Sequence, residues 1–156
     1  MSEIEKKDEN KNIIANEVPE PSSSLALEIF VFIHKIYMIF YNIVLFLLFI
    51  FKRFAFEYPY ENIIPDVALA IIFLIIDIFR IRLTSIGNKT ERALILLFAV
   101  IFDVIILFEY LFFIFIQTYV TNFDLVFSII GLVIIFFELL FSFLTMFNIK
   151  VHEKSI

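Results

Sequence analysis

Seven ionisable residues stand within or beside long apolar runs: Asp77, Arg80, Arg82, Asp103, Glu109, Asp124 and Glu138. On insertion scales such a group in the hydrocarbon of a bilayer costs roughly 2.5–3.5 kcal/mol, so each needs a partner or a purpose. Asp77 and Arg80 are three residues apart, which on a helix puts them on one face and lets them pair directly. A local salt bridge, with Arg82 snorkelling to the membrane surface, accounts for them more simply than an ion site. Asp103 and Glu138 fall near the middle of their runs, and neither has a basic residue within one turn. Protonation is their cheapest local solution, and a neutral carboxylic acid can donate a hydrogen bond to a neighbouring helix. The other reading is a proton or cation path, a small channel or transporter subunit, which would also use Glu109. Such paths show broken helices, yet Gly131 is the only glycine inside an apolar run and the last two runs hold no proline. His34 and His152 are the only histidines and there is no cysteine, so no metal site or cofactor is expected. No nucleophile stands in useful spacing to a base, and a non-enzymatic protein is expected.

The elements that carry these residues follow from composition. The chain has 156 residues, 62% of them hydrophobic, with 23 Phe, 2 Gly and no Trp. That is far above the roughly 45–50% of soluble domains and points to the lipid bilayer as the surrounding medium. Residues 1–23 are polar and acidic and read as a disordered tail. Beyond them lie four apolar segments, about 25–51, 63–83, 93–116 and 123–147, within a membrane domain of residues 24–149, and then a short tail, 150–156. Each is near or above the ~20 residues a helix needs to cross a bilayer, and the alternating pattern of a barrel strand is missing. The expectation is an all-α polytopic membrane protein, four transmembrane helices in an antiparallel bundle. Ten of the twelve basic residues fall on one side of this arrangement, leaving Lys52 and Arg53 opposite, which predicts both termini in the cytoplasm. Ser24 and Asn62 are candidate N-caps for the first two helices, Pro65 would fall in the first turn of the second, and Gly87 would close it as a left-handed C-cap. Asn88 with Glu91, and Thr121 with Asp124, have capping-box spacing for the last two helices. Tyr58, Tyr60 and Tyr119 stand where interfacial rings anchor. No basic cluster is available to nucleic acid.

Several motifs resemble those of the transmembrane protein 17, 80 and 216 family, with the 216 branch nearest. Asp77-Ile78-Phe79-Arg80 followed by Gly87-Asn88 is similar to its helix 2–3 junction. Ser22-Ser23 with Leu27-Glu28-Ile29 looks like the start of its first helix, and Tyr58-Pro59-Tyr60-Glu61-Asn62 with Asp66 like the start of its second. Gln117-Thr118-Tyr119-Val120, then Glu138-Leu139-Leu140 and Leu144-Thr145, match in order and spacing. Asp77 stands where the family usually has Glu, Thr84 where it has Gly, Lys89 where it has an apolar residue, and an early proline of the third helix is missing. The resemblance implies a four-span subunit of the ciliary transition zone without known catalysis. Its partners would be the tectonic and Meckel-syndrome group of proteins, in a homo- or hetero-oligomer that supports cilium assembly and gates the passage of membrane proteins. Asp77, Arg80, Gly87, Asn88 and Glu138 would serve structure or assembly.

Overall fold

The computed structural model describes residues 22–155. The acidic tail is therefore almost wholly outside the described residues. All regular structure among them is helical: α1 (Leu25–Ala55), α2 (Tyr60–Lys89), α3 (Ala93–Phe115) and α4 (Asn122–Ser155). All four are long and apolar enough to cross a membrane. At 1.5 Å per residue even α3, with 23 residues, is about 35 Å long, more than the ~30 Å of hydrocarbon. The connections are short, residues 56–59, 90–92 and 116–121. Short connections force antiparallel neighbours. Accordingly α1 packs on α2 and α4, and α3 packs on the same two, closing an up-down-up-down bundle.

The distribution of side chains is the reverse of a water-soluble fold. Only 17–33% of the most hydropathic stretch of each helix is buried, and large side chains such as Phe32, Ile75 and Phe108 face outward. The interior instead encloses His34, Arg80, Asp103, Ser128, Glu138 and Ser142 without any exposed surface. Lipid solvates the apolar perimeter, so the hydrophobic effect does not drive these helices together, and packing and polar contacts must.

The helices overrun most of the apolar segments. α2 begins at Tyr60 and ends at Lys89, and α4 continues through Ser155, so residues 150–155 are helical where a tail was expected. Hydropathy marks where side chains turn polar, while backbone hydrogen bonding continues through interfacial residues such as Lys52, Lys89 and Lys150. Ser24 caps α1 as expected, its hydroxyl accepting from the Leu27 amide at 3.3 Å. The Thr121–Asp124 box is closed in both directions, at 2.8 and 3.3 Å.

The other terminal expectations fail for identifiable reasons. α2 starts two residues before Asn62, because the Pro59 carbonyl already accepts from the Asn62 and Ile63 amides at 3.1 and 3.0 Å. Pro65 consequently lies in the second turn rather than the first. Gly87 stays helical, and the left-handed conformation after α2 is taken by Glu91, φ 51°. Gly87 is needed where it is for another purpose. A β-carbon there would come within 3.0 Å of both Leu96 Cγ and the Leu96 nitrogen, so its absence lets α2 approach the start of α3. Asn88 and Glu91 do not form a capping box for α3, whose N-cap Arg92 has no side-chain cap bond. Both reach back to the start of α1 instead.

Candidate functional site

Among the described residues, α2 alone has a buried cation with a partner one turn away. Arg80 Nε donates to Asp77 Oδ1 at 2.8 Å, the pairing their spacing predicts. The pair is not a local surface bridge, however, and Arg80 does not anchor at the membrane surface. Its guanidinium is fully buried and its Nη1 donates to Asp103 Oδ1 of α3 and to Glu138 Oε1 of α4, both at 2.7 Å. Its Nη2 lies 3.1 Å from Nδ1 of His34 on α1. One planar fork thus touches a side chain from every other helix, which a lysine ammonium could not do in this geometry.

His34 closes the circuit. Its Nδ1 is 2.7 Å from Glu138 Oε2 and its Nε2 is 3.4 Å from Asp77 Oδ2. The cluster sets one guanidinium and one imidazole against three carboxyls, an excess of acid over base. Asp103 Oδ2 and Ser142 Oγ, both buried, have no hydrogen-bond partner among the described residues. The expectation of Asp103 and Glu138 as neutral acids without a cation is corrected: the cation comes from α2. Breaking such a buried pair on one side typically costs ~3–5 kcal/mol, since the remaining charge is left uncompensated.

Two apolar layers flank the cluster. Leu27, Val31, Ile81, Leu96 and Met146 lie toward one end, and Tyr41, Leu45, Ala70, Ile106, Phe113 and Ile135 toward the other. Glu109 is not part of the cluster. It is buried further along α3, and has no hydrogen bond or ion pair among the described residues. Gly131 admits the Tyr110 ring: a β-carbon there would sit 2.3 Å from Tyr110 Cε1. Ser128, one turn earlier, meets the Tyr41 hydroxyl at 3.2 Å. These two residues give α4 the close-approach face their size predicts.

A second buried ion pair stands at the opposite end. Lys52 Nζ, fully buried at the end of α1, lies 2.8 Å from Asp124 Oδ2 and 3.1 Å from Gln117 Oε1. This joins α1 to the α3–α4 connection. Beside it Tyr58 is wholly buried and donates to Asp66, so it is not an interfacial anchor, whereas Tyr60 is 64% exposed. At the other end Asn88 clasps the start of α1: its Oδ1 accepts from the Ser24 amide at 2.8 Å and its Nδ2 donates to the Ser24 carbonyl at 2.9 Å. Glu91 accepts from the Ser23 amide at 3.1 Å.

Of the residues singled out from sequence, Asp77, Arg80, Asp103 and Glu138 come together, while Gly87 and Asn88 fix the adjoining end and Glu109 stands apart. His34 and the Lys52–Asp124 pair were not found from sequence. A depth count carries the signal for His34: it is nine residues beyond Leu25, Arg80 is nine short of Lys89, and Asp103 is ten beyond Ala93. In an antiparallel bundle these positions share a level.

Fold and cluster together define a multi-pass α-helical membrane protein with a polar, ion-paired interior. The chain belongs to the transmembrane protein 17 family, described as a predicted membrane protein, which matches residues 25–135. Asp77, Arg80, Gly87, Asn88 and Asp103 lie inside the matched segment, and Glu138 lies three residues past it. No curated protein and no solved structure matches the chain.

Proposed function

We propose that this protein is a non-catalytic membrane scaffold subunit of the ciliary transition zone, with both termini in the cytoplasm. Its partners there would be the tectonic and Meckel-syndrome group of membrane proteins, and its role to support cilium assembly and gate admission of membrane proteins. Family membership carries the reading. The interior supports it: a cluster drawing on all four helices holds the bundle as one unit and leaves an apolar perimeter free for lateral contacts. A tagged copy at native expression in a ciliated cell is expected to concentrate at the cilium base. A uniform endoplasmic-reticulum or plasma-membrane distribution overturns the reading.

The rival reading, an ion or proton path through Asp103, Glu109 and Glu138, is less well supported. Arg80 already holds one oxygen each of Asp103 and Glu138, His34 takes the second oxygen of Glu138, and apolar layers flank them. Vesicles containing the purified protein are expected to show no proton or cation flux. Flux that disappears in Asp103→Asn would favour the path instead.

A further inference from the structure

Between α1 and α2, toward the end that carries their Ser24–Asn88 clasp, a cleft of about 600 Å³ opens on the lipid-facing surface. Its walls are apolar, with Leu25, Ile29 and Phe32 from α1 and Ile78 and Ile81 from α2. Lys35 and Arg82 also line it, one from each wall. Both are exposed, and neither has an ion pair among the described residues. Their backbone positions are offset by only three residues, about 4.5 Å of rise, on either side of the level at which Arg80 and His34 meet at 3.1 Å. Side chains lean toward the N-terminus of their own helix, so on antiparallel α1 and α2 the two stems lean toward each other. Lys89, further out, is already paired with Glu28 at 2.8 Å. The cleft therefore presents two converging, uncompensated cations beside an apolar trough.

The depth fits a headgroup. Lys35 and Lys52 are seventeen residues apart on α1, about 25 Å along the axis. With Lys52 held at its end by Asp124 and the Lys35 stem reaching outward, that distance approaches the ~30 Å of hydrocarbon, which puts Lys35 and Arg82 near the phosphate level of their leaflet. A soluble anion would satisfy the charges and leave the trough empty. A phospholipid satisfies both, with its phosphate between the cations and an acyl chain along Phe32 and Ile78. We propose that this cleft is a binding site for one anionic phospholipid. The proposal is independent of any role at the cilium.

The test uses the full chain in detergent micelles doped with equal amounts of dioleoyl phosphatidylserine and dioleoyl phosphatidylcholine, with retained lipid counted by native mass spectrometry. One phosphatidylserine per chain is expected. At about fivefold for each cation the preference is roughly 25-fold, and the Lys35→Ala/Arg82→Ala double variant should lose it while keeping the thermal stability of the parent. Ile78→Trp, which fills the trough and leaves both cations in place, should also lose the lipid. Equal retention of the two lipids, or a preference that survives the double variant, overturns the site. So does displacement of the lipid by excess inorganic phosphate, which would make the cleft a free-phosphate site. Phosphatidylserine retention only after deletion of residues 1–21 would assign the cleft to the acidic tail and overturn it likewise.

Discussion

Among the described residues two basic side chains, Arg80 and Lys52, are buried, and they are solved differently. Arg80 lies within the bundle, where each of the four helices contributes to one contact set with three carboxyls and an imidazole. Lys52 lies at the end of α1, where one carboxylate and one amide oxygen suffice, and the remaining Asp124 contacts are the capping bonds of α4. The delocalised, five-donor guanidinium suits a site where several acceptors from different directions must be held at once, and the compact ammonium suits a site near water. Deep in the bundle a cation organises tertiary structure. At its edge a cation fastens a turn.

That contrast is breakable by mutation. The largest effect is expected for Arg80→Leu, which strands three carboxyls and should lower stability by about 3–5 kcal/mol, read by thermal unfolding in detergent. Arg80→Lys should recover only part of the loss, because a point charge cannot serve both Asp103 and Glu138 while holding Asp77. Lys52→Met should cost less, about 1–3 kcal/mol, since Asp124 keeps its bonds to Thr121 and water is nearer. Equal losses at the two sites would erase the distinction drawn between them. Gly131→Ala tests the apolar layer on the far side of the cluster. The methyl group collides with the Tyr110 ring, and overpacking of this kind costs about 1–3 kcal/mol. Tyr110→Leu in the same chain should restore most of it, which a double-mutant cycle would measure. The smallest effect is expected at Ser24→Ala, about 1 kcal/mol, seen as faster hydrogen exchange at the Leu27 amide.

The four helices were legible because each apolar run is long enough to cross a bilayer, and the Asp77–Arg80 pair because helical periodicity places residues three apart on one face. Ser24 and the Thr121–Asp124 box were legible for the same local reason. The meeting of Arg80 with Asp103, Glu138 and His34 was not, since it depends on how four helices are rotated about their axes, which no local rule fixes. Gly87 shows the limit from the other side. A glycine near a helix end reads as a left-handed cap, yet the close approach of Leu96 holds it helical and passes the left-handed residue to Glu91. Tyr58 was misplaced because an aromatic at a membrane boundary reads as an anchor, and only the fold brings Asp66 within its reach.

The spacing of Asp77 and Arg80 bears on how the chain is made. α2 brings its cation and a counter-ion into the membrane together, as a neutral unit that needs no later helix. α3 and α4 each arrive with a carboxyl whose cation already waits inside the bilayer. The order of synthesis therefore matches the order of electrostatic need, and α2 is the segment that the rest of the protein is built around.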